Sequence, residues 1–130
     1  MAWTEVFIVL VLSHLVGDFA LQTDWQARHK HRGLGREPVA RRALLTHVAT
    51  YTLAFVPALV WLAGHIGAWA LVAAVGVALP HLVQDDGRLV DRYITLVKGE
   101  GAADAPLVAV AVDQTFHALA LCALALVVVL

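Results

Sequence analysis

This sequence predicts an all-α integral membrane protein, a four-helix bundle made of two similar helical hairpins. Three features predict it. Four apolar stretches each approach the ~20 residues that cross a hydrocarbon core. All nine Lys and Arg fall in the two intervals after the first and third stretches, and a histidine-bearing motif occurs twice at corresponding places. Composition agrees: 61% of the 130 residues are hydrophobic, 15% are charged, and mean hydropathy is +0.78, beyond the range of an ordinary soluble domain.

The spans are expected at about residues 3–22, 43–62, 66–86 and 106–130, so that residues 1–130 form a single transmembrane domain. The first carries Glu5 rather than a basic leader and ends in polar residues rather than a small-residue cleavage site, so it reads as a retained span and not a signal peptide. The hairpin "AGHIGA" between the second and third spans has no basic residue. Arg28, Lys30, Arg32, Arg36, Arg41 and Arg42 lie in the loop 23–42, and Arg88, Arg92 and Lys98 in the loop 87–105. The bias of basic residues toward the cytoplasm puts both loops inside and both termini outside.

Each basic loop is expected to hold a short interfacial helix. In "QTDWQARHKHRGLGREP", Thr23 or Asp24 is a helix-capping residue, Trp25 suits the headgroup region, and Gly33, Gly35 and Pro38 interrupt the chain. In "DDGRLVDRYITLVKGEG", Leu89, Val90, Tyr93, Ile94, Leu96 and Val97 are spaced as the apolar face of a helix lying on a membrane. His29, His31 and His65 read as solvated. Cys122, the one cysteine, reads as a small packing residue.

Each span also carries a histidine, with a polar residue four positions away: His14 with Asp18, His47 with Tyr51, His81 with Asp85, and Asp113 with His117. In a helix, positions i and i+4 share a face about 6 Å apart along the axis, so one helix can offer two ligands to one metal ion. With the predicted topology all four pairs fall in the cytoplasmic halves of their helices. The first motif, "HLVGD", returns as "HLVQD", and each is followed by a basic loop and a histidine-bearing helix. Two hairpins related by an axis along the membrane normal would bring the half-sites together.

Ionisable groups in lipid cost up to ~2.5–3.5 kcal/mol each unless paired. No Lys or Arg lies inside any span, so a divalent cation is the expected partner of three buried aspartates. The expected ligands are His14, Asp18, His47, His81, Asp85, Asp113 and His117, around one or two transition-metal ions; zinc, manganese and iron all suit such donors. Asp113, Asp18 and Tyr51 are the candidates for proton transfer. Gln22 and Gln114 are expected to orient ligands or touch substrate. Arg88, Arg41 and Arg42 are expected to hold a lipid phosphate at the interface.

"SHLVGDFALQTDW", "LLTHVATYTL", "HLVQDDGR" and "VDQTFH" resemble the motif set of small bacterial integral membrane proteins grouped as the DUF3307 family. The likeness covers nearly the whole chain and falls on His14, Asp18, Gln22, His47, His81, Asp85, Asp113, Gln114 and His117. Arg88 stands where that family usually has a lysine. The resemblance implies a polytopic inner-membrane protein and supplies no reaction. A more distant likeness, through His and Asp in membrane helices, is to membrane-bound metal-dependent hydrolases of the YdjM type.

The expected function is therefore a metal-dependent hydrolase acting at the cytoplasmic membrane face on a lipid-linked phosphoester or ester. Iron-dependent oxygenase or desaturase chemistry, metal or proton transport, and an accessory protein with a structural metal are the alternatives. The expected partner is a membrane lipid or lipid-like substrate, with homo-oligomers allowed; a net charge of −1 gives no sign of nucleic-acid binding.

Overall fold

The computed structural model describes the backbone of residues 1–130 and every side chain except those of Glu100 and Ala103. The fold is all-α, with no strand among the described residues. Helix α1 (Trp3–Leu15) runs into a π-helical turn, Val16–Ala20. Then come α2 (Asp24–His29), α3 (Pro38–Ala54), α4 (Val56–Ile66) and α5 (Trp69–Asp85). The chain ends with α6 (Arg88–Tyr93), a second π-helical turn at Ile94–Lys98, α7 (Glu100–Ala103) and α8 (Pro106–Val129). The elements close into a ring. Helix α8 touches α1 and α5, α5 touches α3 and α4, and α3 packs on the first π turn.

Two stretches, Trp3–Ala20 and Pro106–Val129, are long and apolar enough to cross a membrane. The second predicted span departs from the expected single helix over 43–62. It begins earlier, at Pro38, and breaks into α3 and α4 with a bend of 53°. The cause is Pro57, whose nitrogen has no proton for the Leu53 carbonyl and whose ring crowds that turn. Taken as one bent span, the pair is a third crossing candidate. The third predicted span is shorter than 66–86: α4 runs on through Ile66, Gly67 turns the chain at φ +59°, and α5 covers 17 residues.

The start of α3 is set locally. Pro38 takes the first turn, where a missing N–H costs nothing, and the Glu37 carboxylate accepts hydrogen bonds from the N–H groups of Val39 and Ala40. Those two donors hold the Glu37 carboxyl below its ordinary range. Residues 38–42, expected in the loop, are therefore helical. The second basic loop is not one helix but α6, its π turn and α7. Its inward face is Val90 and Ile94, packed on Val112, while Leu89, Leu96 and Val97 face outward.

The core divides into two zones. Away from the basic loops it is apolar, built from Val6, Leu10, Phe55, Leu62, Ala70, Ala73, Val77, Leu121 and Ala125. Small residues let the backbones approach, and dispersion rather than transfer from water holds such contacts in an apolar solvent. Toward the basic loops the core turns polar. There His14, Asp18, His47, His81, Gln84, Asp85 and His117 are all buried, with Tyr51 at the boundary.

Candidate metal centre

The polar zone depends on a break in α1. His14, Asp18 and Gln22 are expected to stack on one helical face, but the π turn adds a residue to the winding at Val16–Ala20 and re-aims Asp18. The helix then ends, so Gln22 lies beyond it rather than on its face. Gly17 permits this arrangement. A Cβ there would stand 2.6 Å from Tyr51 Cδ2 and 3.3 Å from the Tyr51 Cα, so only glycine lets the turn lie against α3.

Asp18, His81, Asp85 and His117 each present one ligand atom, and these atoms all lie within 4.8 Å of one another. His47 borders the group. Its Nε2 is 2.8 Å from Asp85 Oδ2, 3.3 Å from Asp18 Oδ1 and 3.1 Å from His81 Nε2. His81 Nε2 lies 3.5 Å from Asp18 Oδ1 and 3.4 Å from Asp85 Oδ2, and His117 Nε2 lies 3.3 Å from Asp85 Oδ1. Apart from the 2.8 Å contact and the 3.1 Å pair of His47 and His81, these separations are longer than the usual ~2.7–3.2 Å of N–H···O bonds. The 3.3–3.5 Å pairs are close to the separation of about 3.3 Å between neighbouring ligands of a tetrahedral ion with bonds near 2.0–2.1 Å, while the group as a whole spans up to 4.8 Å.

Proton counting leads to the same place. His117 Nδ1 donates to the Asp113 carbonyl at 2.8 Å, so in the neutral ring the Nε2 lone pair faces a carboxylate oxygen. That nitrogen and Asp18 Oδ1 have no hydrogen-bond partner among the described residues. A cation between His117 Nε2 and Asp85 Oδ1 relieves the repulsion, either a proton on the ring or a metal ion. At the next pair only one proton fits between the rings. The Nε2 atoms of His47 and His81 face each other at 3.1 Å, so two N–H groups there would collide. The unprotonated nitrogen either accepts the hydrogen bond from its neighbour or ligates a divalent ion. His117 has the outer hydrogen bond that a ligating imidazole takes. The Nδ1 atoms of His47 and His81 have no partner among the described residues.

His14 stands beside the group rather than in it. Its Nδ1 is 3.1 Å from the Tyr51 hydroxyl and 3.7 Å from Asp18 Oδ2, and its Nε2 is 2.9 Å from Gln114 Oε1. The Gln114 amide nitrogen donates to Asp18 Oδ2 at 3.4 Å and to Asp113 Oδ2 at 3.2 Å. Carboxylates fix that amide, so its oxygen faces His14, Nε2 carries the ring proton, and Nδ1 accepts from Tyr51. Tyr51 also stacks on His81, with ring planes 2° apart. Asp113 lies outside the four-residue group and is 27% exposed.

The repeat is visible in these contacts. Asp18–His47 and Asp85–His117 are corresponding pairs, each at 3.3 Å, and the corresponding ring pairs His14–His117 and His47–His81 both lie 5.1 Å apart. The two halves diverge where Tyr51 and Gln114 occupy both nitrogens of His14 and leave His81 Nε2 facing the carboxylates.

The arginines do not reach the group. Arg41 donates to the Gly35 carbonyl, Arg42 lies over the Trp25 ring, and Arg88 stands 3.5 Å from Asp86. Lys30 does reach it. Its ammonium donates to Asp85 Oδ2 at 2.5 Å and to Gln22 Oε1 at 2.6 Å. The expectation that no protein cation serves the buried aspartates is therefore corrected, because a loop lysine enters from outside the spans. The signal available in the sequence was "HKH" immediately after a capped helix. Asp86 contributes by holding that loop. Its backbone carbonyl accepts from Arg32 N–H and its carboxylate from Leu34 N–H, each at 2.8 Å.

A family model described as "Protein of unknown function (DUF3307)" matches residues 6–130. No curated protein and no solved structure matches the chain.

Proposed function

From the premise that this chain belongs to the DUF3307 family, whose description assigns no activity, we propose that it is a membrane-embedded, metal-dependent hydrolase. Its substrate is a lipid-linked phosphoester or ester at the cytoplasmic face of the bacterial inner membrane. In this reading α1, the bent α3–α4 pair, α5 and α8 all cross the bilayer, with both termini outside. The observation that carries it is the buried cluster in which Asp18, His81, Asp85 and His117 each present one ligand atom within 4.8 Å of the others, with Asp18 Oδ1 and His117 Nε2 lacking any hydrogen-bond partner among the described residues.

Asp18, His81, Asp85 and His117 would hold the ion, with His47 as a fifth donor. When bound, the ion supplies a Lewis acid that polarises a phosphoryl or carbonyl oxygen and makes water a nucleophile near neutral pH. The chain supplies the rest. Gln114 and Tyr51 fix the ring of His14, and Gln114 steadies Asp18. Asp113, outside the ligand group and part-exposed, takes the proton and returns it to solvent. The apolar zone beyond Tyr51 bars water from the far side and offers no donors for a transit path, which favours an enzyme over a transporter.

The test uses detergent-purified protein loaded with zinc or manganese and supplied with a fluorescent lipid phosphoester in mixed micelles. Turnover is expected that chelator abolishes, and Asp113→Asn is expected to lower turnover by ~10²-fold or more while metal content stays within a factor of two. Metal uptake into proteoliposomes without hydrolysis would contradict the proposal and decide for transport.

A further inference from the structure

Lys30 is the basic residue that reaches the buried group, and nothing about helix packing requires it there. The capping box of Thr23 and Gln26 starts α2, which ends after six residues. The next turns are pinned to the end of α5 by the two hydrogen bonds to Asp86. Within this segment Arg32 adopts φ +60°, a left-handed conformation uncommon in a residue with a side chain. A chain held in that conformation by bonds to the residue next to Asp85 places Lys30 over Asp85 by construction. The Lys30 side chain is 19% exposed and that of Asp85 only 1%, so the lysine lies at the edge of the buried group, between it and the basic loop.

We infer that Lys30, with Gln22 beside it, is the anion-binding element of this site, and that the substrate carries a phosphoryl group rather than a neutral ester. The inference rests on the metal-centre reading and narrows it. Asp18 and Asp85 cancel the charge of one divalent ion, and Asp113 is turned to Gln114, outside the ligand group. The ion, Asp18, Asp85 and Lys30 together leave one positive charge, which an ionised Asp113 offsets from outside the ligand group. Because Gln22 accepts from Lys30 through its oxygen, its amide N–H groups remain as donors to a second phosphoryl oxygen.

The test titrates inorganic phosphate into the metal-loaded, detergent-purified protein by calorimetry. Lys30→Met is expected to weaken phosphate binding roughly tenfold or more, as loss of a charge-assisted hydrogen bond does, with metal content unchanged. Lys30→Arg should keep most of the affinity, which separates loss of charge from misfolding, and Lys98→Met should bind as wild type. Competition by a short-chain lipid phosphate and by a water-soluble phosphomonoester distinguishes a headgroup from a free phosphate. Equal phosphate affinity in Lys30→Met and wild type overturns the inference. So does tighter metal binding in Lys30→Met with phosphate affinity unchanged, since Lys30 would then only stand in for the ion. Failure of the hydrolase reading looks different: phosphate binds and depends on Lys30, but no phosphoester turns over.

Discussion

Gly17 and Lys30 show how much of this site rests on single residues. At Gly17 the space for a methyl group is taken by Tyr51, so Gly17→Ala should separate α1 from α3 and cost ~1–3 kcal/mol. Gly64, with nothing within 4 Å of an added Cβ, should accept alanine with a gain of ~0.4–1 kcal/mol. Thermal unfolding in detergent reads both, and equal melting temperatures for Gly17→Ala and wild type would contradict the close approach. The residue types of the site were legible in the sequence: polar groups in apolar helices, paired at i and i+4, at one depth. Their division of labour was not. His14 and His81 occupy the same place in the repeat, and what separates them is Tyr51 and Gln114, which meet His14 only in three dimensions. In the sequence Lys30 is only a topology marker, because a lysine's reach across a folded-back loop has no periodicity to betray it.

At the scale of elements, the first π turn and the Pro57 bend do different things. The π turn aims Asp18 into the group, whereas the Pro57 bend shapes the apolar zone. An α-helix that kept its winding through Asp18 would stack His14, Asp18 and Gln22, the arrangement that simple spacing predicts. Hydropathy sees neither irregularity, because winding and bends leave the apolar count unchanged. Pro57 is legible as a breaker, but its consequence, a 53° bend rather than a stop, depends on packing around Phe55. In Pro57→Ala the Leu53 carbonyl regains a donor. Spin labels at Arg42 and Gly64 should then separate toward the ~33 Å of a straight helix, a lengthening of roughly 3 Å. An unchanged distance would assign the bend to packing instead of proline.

For the whole molecule, the all-α class followed from composition and periodicity, and the structure agrees. The distribution of basic residues carries a further prediction. In a Cys122→Ala background, single cysteines replacing Gly35 and Gly99 should react with membrane-impermeant reagents from the cytoplasmic side, and one replacing Gly64 from the outside. Cytoplasmic labelling at Gly64 would contradict the proposed topology and with it the common depth of the histidines. Everything proposed for this protein returns to one claim, that the buried group of Asp18, His81, Asp85 and His117 holds a metal ion. The most direct measurement is elemental analysis of detergent-purified protein. The account predicts about one equivalent of a transition metal in wild type, most of it lost in His81→Ala and His117→Ala and kept in His65→Ala. Folded wild-type protein that takes up no metal when zinc, manganese and iron are each supplied in excess would contradict it.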